Sequence, residues 1–311
     1  MADTTQALQT TNQQRGAYLL LLGVMLFGGL SFILARLAQE EGIPTPVIVL
    51  IRLTTGALIL SAVAMRRGVD LSGLKPRHYV LIALAGSFLA GHFLMGYWAL
   101  EYTTVTVVSL MLLTGPVWVL LCEMLFLKMV PSVAMRYGLI ISLIGGVLVA
   151  LGSGGGGFGS APLLGALYAL FSALSISFYM FLGRVVRSHI DSMSYIWLVF
   201  IASAVAAGLV MLTQQTPITG YSLKGYFWVL LLTLIAQVYA QSVINYVLGI
   251  FSATFVSIAL RAVNVMATIY AIFIFNEIPT IWQVIGGALI LSGVVITSRR
   301  PAQKHESGQL D

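Results

Sequence analysis

The chain has 311 residues, of which 59% are hydrophobic and only 8% are charged, and its mean hydropathy is +0.97. A soluble domain of this size cannot cover its surface with so few charges, so lipid must be its main solvent. The net charge of +6 then reflects the distribution of basic residues across the membrane and is a poor reason to expect nucleic-acid binding. The single cysteine, Cys122, excludes an intrachain disulfide and most metal sites.

Five apolar segments of about 20 residues follow one another in each half of the chain. They cover residues 17–36, 45–65, 77–100, 103–127 and 132–151, then residues 162–183, 192–212, 225–248, 251–275 and 281–298. Each is long enough to cross a hydrocarbon layer of about 30 Å at about 1.5 Å per residue. Because backbone groups in lipid must pair within their own segment, the pattern predicts an all-α integral membrane protein with ten transmembrane helices.

The two halves are weak copies of one another. Residues 97–150 align without a gap with residues 245–298, an offset of 148 that places Gly138 on Gly286 and Gly145 on Gly293. An odd number of spans per half makes the second half enter the bilayer from the opposite face. The sequence therefore predicts two inverted five-helix repeats, residues 16–151 and 162–298, with a binding site where they meet.

Basic residues set the expected orientation. Of the sixteen, twelve fall on the side of the two termini, Arg36 and Lys224 fall on the other side, and Arg52 and Arg261 fall within spans. The positive-inside rule therefore places the tails, residues 1–15 and 299–311, in the cytoplasm. The glycine-rich linker, residues 152–161, is then expected outside. Residues 1–14 lack an apolar core and do not look like a cleavable signal.

Short motifs in both halves carry a family resemblance. They are IRLTTGAL at residues 51–58, LTGP at 113–116 with glycines at 138, 145 and 146, and NEIP at 276–279 with glycines at 286, 287 and 293. In this order and spacing they resemble two EamA-type domains of the drug/metabolite transporter superfamily, over roughly residues 16–298. The chain departs from the pattern at two positions. Met129 stands where the family has the glutamate seen at position 277, and Asn264 stands in the second half at the position that Pro116 occupies in the first.

The density of aromatic residues looks most like that of the exporters of aromatic amino acids, the YddG type. This resemblance implies a multi-pass protein of the bacterial cytoplasmic membrane that exports aromatic amino acids or related metabolites. It implies no cofactor and no metal. It also implies no partner beyond lipid and solute, with a monomer compatible.

Arg261 is the strongest candidate for contact with a solute. It lies about ten residues into the ninth span, near the middle of the bilayer. A central arginine costs about 2.5–3.5 kcal/mol on insertion scales, so it is expected to face a cavity or a partner. Its guanidinium can grip a substrate carboxylate, or it can pair with Glu123 near the cytoplasmic end of the fourth span. Asn264 shares its face.

His92 lies in the middle of the third span, with Met95 on the same face. It can bind a solute or carry a proton, or it can bond to a neighbouring helix. In the eighth span Gln237, Gln241 and Asn245 form a polar stripe that suits either a ligand or hydrogen bonds between helices. Arg52 is expected to be structural, reaching the outer headgroups or pairing with one of the acidic residues at positions 40, 41 and 101.

The remaining candidates are aromatic or small residues that would line a slot for a flat solute, with packing or lipid contact as the alternative. They are Trp98, Trp118, Tyr168, Phe171, Ser175, Tyr179 and Tyr239.

A secondary carrier that exports small amphipathic metabolites by alternating access is the leading hypothesis. No span contains a lysine, no phosphate-binding loop is present, and no nucleophile has a base at a suitable spacing, so a retinal protein, an ATP-driven pump and an enzyme are disfavoured. The alternatives are a proton-coupled antiporter using His92 or Glu123, a passive channel-like facilitator, and a sensor or assembly subunit without transport. The scarcity of titratable groups in the spans favours a carrier driven by the gradient of its solute.

Overall fold

The computed structural model describes residues 2–69, 71, 74–155, 159–187, 190–248, 250–251, 256 and 259–298, apart from the side chains of residues 2–13, 155, 241, 245, 248 and 298. Within these ranges the chain is helical and forms no strand. The helices are α1 (Ala2–Gly28), α2 (Leu30–Glu40), α3 (Thr45–Arg67), α4 (Pro76–Tyr102), α5 (Val105–Leu112), α6 (Gly115–Phe126), α7 (Val133–Gly152), α8 (Pro162–Val186), α9 (Ser192–Thr213), α10 (Leu223–Leu232), α11 (Ala240–Leu248), α12 (Ala262–Phe275) and α13 (Ile281–Ser298). A π-helical segment, Thr233–Tyr239, joins α10 to α11.

Eight stretches of the described chain are long and apolar enough to cross a membrane, and α12 and α13 are apolar but shorter. The eight coincide with the first eight predicted spans, with α1–α2, α5–α6 and α10–α11 each forming one stretch. The all-helical membrane architecture is therefore confirmed. The predicted ninth span, residues 251–275, falls partly outside the described residues, so the total of ten remains a prediction.

The exposure of side chains fits a lipid-facing bundle. Large apolar side chains such as Leu84, Ile144 and Val205 are about half exposed, whereas the small polar side chains of Ser142 and Ser203 are fully buried. In lipid the apolar side chains need no cover, and the buried serines bond to backbone carbonyls instead. The spans thus turn their polar atoms inward.

Helices α7 and α13 pack closely along their length because glycines remove the side chains between them. A Cβ atom on Gly138 would lie 2.6 Å from the carbonyl oxygen of Gly293, and one on Gly145 would lie 2.6 Å from that of Gly286. Between these two crossings, the Ser142 hydroxyl donates to the Ile290 carbonyl at 3.2 Å. Gly138 and Gly145 of α7 meet Gly293 and Gly286 of α13 in reverse order along the chain, so the two helices are antiparallel.

Four of the predicted spans are interrupted. The first span breaks at Gly29, where a Cβ atom would lie 2.8 Å from Met266 Cβ. The fourth breaks between α5 and α6, where Pro116 cannot donate a backbone hydrogen bond. The eighth contains the π-helical segment, and α12 begins directly after Arg261. Discontinuous helices at mid-depth are typical of transporter binding sites, because they expose polar backbone groups to a cavity.

Candidate functional site

A central cavity of 270 Å³ lies where these helix breaks meet. The breaks themselves contribute to its wall, through Gly28, Leu112 and Ala236. Its polar lining consists of the side chains of Ser31, Arg52, His92, Arg261 and Asn264, and its aromatic lining is Phe32 and Phe93. The cavity therefore combines two guanidinium groups with aromatic rings. Three of its polar residues, His92, Arg261 and Asn264, were candidates from the sequence.

Arg52 is a lining residue that the sequence reasoning placed elsewhere. Its side chain is buried, and one terminal nitrogen donates to the Ser31 hydroxyl at 3.0 Å and to the Tyr97 hydroxyl. The guanidinium carbon lies 4.0 Å from the centre of the Phe93 ring, a cation–π contact. The expected route to the outer headgroups is therefore wrong. Its Nε has no hydrogen-bond partner in the described chain.

The acidic residues proposed as partners for Arg52 are engaged by other groups. Glu40 pairs with Arg36, and Glu41 pairs with Lys224 at 2.6 Å. The Thr45 hydroxyl donates to Glu101 at 2.7 Å. None of the three acids lines the cavity, so within the described part of the chain the charge of Arg52 is met there by hydroxyls and a ring.

Arg261 is partly buried at the start of α12 and lines two cavities. One is the central cavity, and the other is a second cavity of 190 Å³ whose lining includes Glu123, Met135 and Thr297. Glu123 forms its ion pair with Arg184, so the predicted alternative of an Arg261–Glu123 pair is not formed. Among the described residues four ion pairs occur, and neither Arg52 nor Arg261 takes part in one.

His92 forms the bond to a neighbouring helix that was one of the two alternatives from the sequence. Its Nδ1 lies 2.9 Å from the Ser172 hydroxyl and 3.1 Å from the Ser172 carbonyl, and that hydroxyl donates to the His92 carbonyl at 2.7 Å. These bonds join α4 to α8 and fix the ring. The residue nevertheless lines the central cavity.

The predicted polar stripe of the eighth span is only partly placed. Gln237 is buried in the π-helical segment and lines a separate pocket of 380 Å³ between α3 and α9, together with Arg67. The side chains of Gln241 and Asn245 lie outside the described residues. Tyr239 donates to the Leu20 carbonyl at 3.3 Å, which ties it to α1.

The predicted aromatic slot along α8 is not formed around the central cavity. Tyr168 packs against Trp98 and Tyr102 at ring separations of 6.3 and 5.7 Å, and Tyr179 stacks on Tyr195 at 6.5 Å. The Phe171 side chain is 54% exposed on the outer surface. These residues share one side of α8, but that side packs mainly against α4 or is exposed, and Tyr179 meets α9 only through Tyr195.

Three further candidates also lie away from the central cavity. Trp118 donates to the Thr114 hydroxyl at 2.9 Å and lines an apolar groove of 500 Å³ between α6, α7 and α8. Ser175 faces Gly91, whose added Cβ would lie 3.5 Å from the serine oxygen, and Met95 is partly buried within α4. In the described ranges no group of three or more histidine, cysteine or acidic side chains is placed to hold a metal ion.

Two networks join the halves of the chain at opposite ends of the span formed by α5 and α6. At one end the buried Glu277 carboxylate pairs with Arg36 and accepts hydrogen bonds from the backbone amides of Val105 and Thr106, both at 3.1 Å. At the other end Glu123, near the end of α6, pairs with Arg184 of α8. Sequence motifs pointed to Glu277 but not to its partners, which come from distant parts of the chain.

The known proteins that this chain resembles are transporters. The model of the EamA-like transporter family matches residues 15–151 and again residues 163–299. An uncharacterized transporter of Archaeoglobus fulgidus is 26% identical over 293 residues, which cover 92% of this chain and 98% of its own. The uncharacterized transporter YdfC of Bacillus subtilis is 25% identical over 267 residues, or 84% of each chain. A solved crystal structure shares the fold at a TM-score of 0.57 and 19% identity, covering 91% of this chain and 96% of that one.

Proposed function

Since this chain belongs to the EamA-like transporter family, we propose that it is a secondary transporter that exports small carboxylate-bearing metabolites, with aromatic amino acids as the leading candidates. The observation that carries the proposal is the central cavity, where Arg52 and Arg261 have no acidic partner among the described residues. A buried guanidinium group is costly unless an anion compensates it. A solute carboxylate can supply that anion and accept two parallel hydrogen bonds.

The aromatic part of the proposal rests on the rest of the lining. Phe32 and Phe93 border the same 270 Å³ space as the two arginines. An aromatic amino acid would place its carboxylate on a guanidinium and its ring against these phenylalanines, where edge or offset contacts are favourable. The outward direction and the placement in a bacterial cytoplasmic membrane, with both termini inside, follow from the family resemblance and the basic residues.

Alternating access of two inverted repeats is supported by the α7–α13 contact. The 148-residue offset converts Gly138 into Gly286 and Gly293 into Gly145, so it exchanges the two glycine crossings with one another. It also makes Ser142 and Ile290, which are hydrogen-bonded, equivalent positions. This is the relation expected of a pseudo-two-fold axis between the two helices. The helix breaks at Leu113 and Arg261 share the same offset.

The proposed driving force is the gradient of the solute itself. Glu123 is paired with Arg184 and Glu277 with Arg36, and neither carboxylate belongs to the described lining of the central cavity. A proton-coupled antiporter is the second candidate because His92 does line that cavity.

Uptake of radiolabelled phenylalanine into proteoliposomes tests the proposal, with and without an imposed pH gradient. We expect saturable uptake that ignores the gradient and is inhibited by unlabelled phenylalanine but weakly by phenylalanine amide, which lacks the carboxylate. Arg261→Gln should abolish uptake, whereas Arg66→Gln, a change at an exposed arginine outside the cavity, should not. Equal inhibition by the amide would refute carboxylate recognition, and uptake that rises with the gradient would favour the proton-coupled alternative.

A further inference from the structure

The two ion pairs that join the halves have arginines at matching distances along the chain. Arg36 and Arg184 are 148 residues apart, the same spacing that separates residues 97–150 from residues 245–298. Arg36 belongs to the first half and binds Glu277 of the second half, while Arg184 belongs to the second half and binds Glu123 of the first. Each arginine therefore ties its own half to an acid of the other half, at opposite ends of the bundle.

The acids do not share this spacing. The position equivalent to Glu277 is Met129, and the acid that serves Arg184 stands six residues earlier, at Glu123 in α6. This shift moves the carboxylate from the end of the helix into its body. As a result Glu123 lines the 190 Å³ cavity that also contains Arg261, whereas Glu277 has no such contact with a cavity arginine.

The two pairs also differ in how firmly they are held. Glu277 is 1% exposed and accepts three additional hydrogen bonds, from the backbone of Val105 and Thr106 and from the Thr106 hydroxyl. In the second pair Arg184 is 57% exposed, while Glu123 is 5% exposed. Arg184 is thus far more exposed than Arg36, which is 21% exposed, and an ion pair with an exposed partner contributes less than one whose partners are both enclosed. The Arg184 end is therefore the one that can open.

We propose that Glu123 exchanges Arg184 for Arg261 during transport, so that the solute on Arg261 controls whether the end of the carrier held by Arg184 is open. The inference rests on the proposed function and its orientation, in which this end faces the cytoplasm. With a solute carboxylate on Arg261, Glu123 stays on Arg184 and holds α6 against α8. After the solute leaves, Arg261 takes Glu123 as its anion, Arg184 is released, and the cytoplasmic end opens for loading.

The position of Arg261 fits this exchange. Arg261 lines both the central cavity and the second cavity, and Glu123 lines the second, so the exchange requires the Arg261 guanidinium to turn from one cavity to the other. The solute carboxylate and Glu123 compete for this cation, and Glu123 stays on an arginine in either state. The closed cytoplasmic end thus becomes dependent on a bound solute, which is the condition for outward delivery by alternating access.

Accessibility of the second cavity provides a test that requires no knowledge of the cargo. Cys122 is the only cysteine, so Cys122→Ser with Met135→Cys yields a single thiol among the lining residues. A membrane-impermeant thiol reagent is added to the face that bears the termini. We expect Arg184→Gln to raise the labelling rate about two- to fivefold, the range for loss of an exposed ion pair. Arg261→Gln should lower it, because no guanidinium in the second cavity then competes with Arg184 for Glu123.

A charge exchange separates this role from a merely structural one. The double variant Glu123→Arg/Arg184→Glu can re-form the pair between α6 and α8, but its new cation cannot bind Arg261. We expect labelling slower than in the parent, as in Arg261→Gln, together with loss of transport. Recovery of transport in this variant would overturn the exchange. Arg184→Lys, which keeps the charge, should retain both properties, and Lys224→Gln, in a surface pair remote from the cavities, should change neither.

Failure of this inference is distinguishable from failure of the proposed function. Labelling rates are read in variants that elute as a single folded species, whether or not they transport phenylalanine. If the parent transports phenylalanine but the Arg184→Gln and Arg261→Gln rates equal the parent rate, the exchange is refuted and the function stands. If the rates move in opposite directions while no phenylalanine is transported, the exchange stands and the cargo assignment fails.

Discussion

The contact between α7 and α13 makes a sharp prediction about two neighbouring glycines. A Cβ atom added to Gly145 would lie 2.6 Å from the Gly286 carbonyl oxygen and 2.8 Å from the Ile290 amide nitrogen, both backbone atoms of α13. A Cβ atom added to Gly146 would meet only Thr114 Cγ2, at an ordinary 3.8 Å. The two residues share one helix, so alanine raises helix propensity by a similar ~1 kcal/mol at either position.

The difference between the variants therefore isolates the packing between the helices. At Gly145 the helices must move apart by several tenths of an ångström to reach normal contact, and overpacking of this kind costs about 1–3 kcal/mol. We expect Gly145→Ala to unfold at a lower temperature than Gly146→Ala in the same detergent, measured by the loss of the monodisperse peak on size-exclusion chromatography after heating.

The repeat extends the prediction to the other helix. Gly286→Ala should reproduce the effect of Gly145→Ala, because its Cβ would lie 2.6 Å from the Gly145 carbonyl oxygen. If Gly145→Ala proves as stable as Gly146→Ala, the two helices are not in close contact. In that case the pseudo-two-fold relation drawn from their glycines would lose its basis.

Further predictions concern a helix cap, a buried ion pair and the lining of the site. Asp191 caps α9, and hydrogen bonds, first of all from the Ser194 hydroxyl, hold the pKa of its carboxyl below the usual value. The stabilisation of the protein by the Asp191 carboxylate should therefore be complete above the ordinary pKa of about 4 and should fade as the pH falls through the lower pKa of the folded protein. Asp191→Ala should lower the free energy of unfolding by ~1 kcal/mol at pH 7, measured as a lower melting temperature. Glu277→Gln removes one partner of a buried ion pair and should cost ~3–5 kcal/mol, whereas unchanged thermal stability would show that this end is not held by charge. Phe93→Ala should raise the KM for phenylalanine, while Phe171→Ala, at a ring turned to the surface, should leave uptake kinetics unchanged; the reverse result would move the site to α8.

The candidate site was predictable only in part. Arg261 was found because an arginine in the middle of an apolar run is costly and must face something polar. Arg52 has the same signal but stands closer to the end of its span, which favoured a route to the headgroups. Nothing local revealed that Ser31 and Tyr97 offer it hydroxyls within the bundle. The partner of Glu123 was assigned by depth alone, and depth did not distinguish Arg184 from Arg261.

The sequence by itself determined the helices, the membrane environment and the repeat. These are local properties, because a backbone in lipid must satisfy its hydrogen bonds within each segment. A run of about 20 apolar residues is therefore enough to indicate a membrane-spanning helix. Only the tertiary structure decided which face of each helix lines the central cavity and which charges meet. In these spans nearly every residue is apolar, so hydropathy does not separate the inner face from the lipid face as it does in a soluble helix. The meeting of Arg36 with Glu277 depends on packing between segments 241 residues apart in the chain.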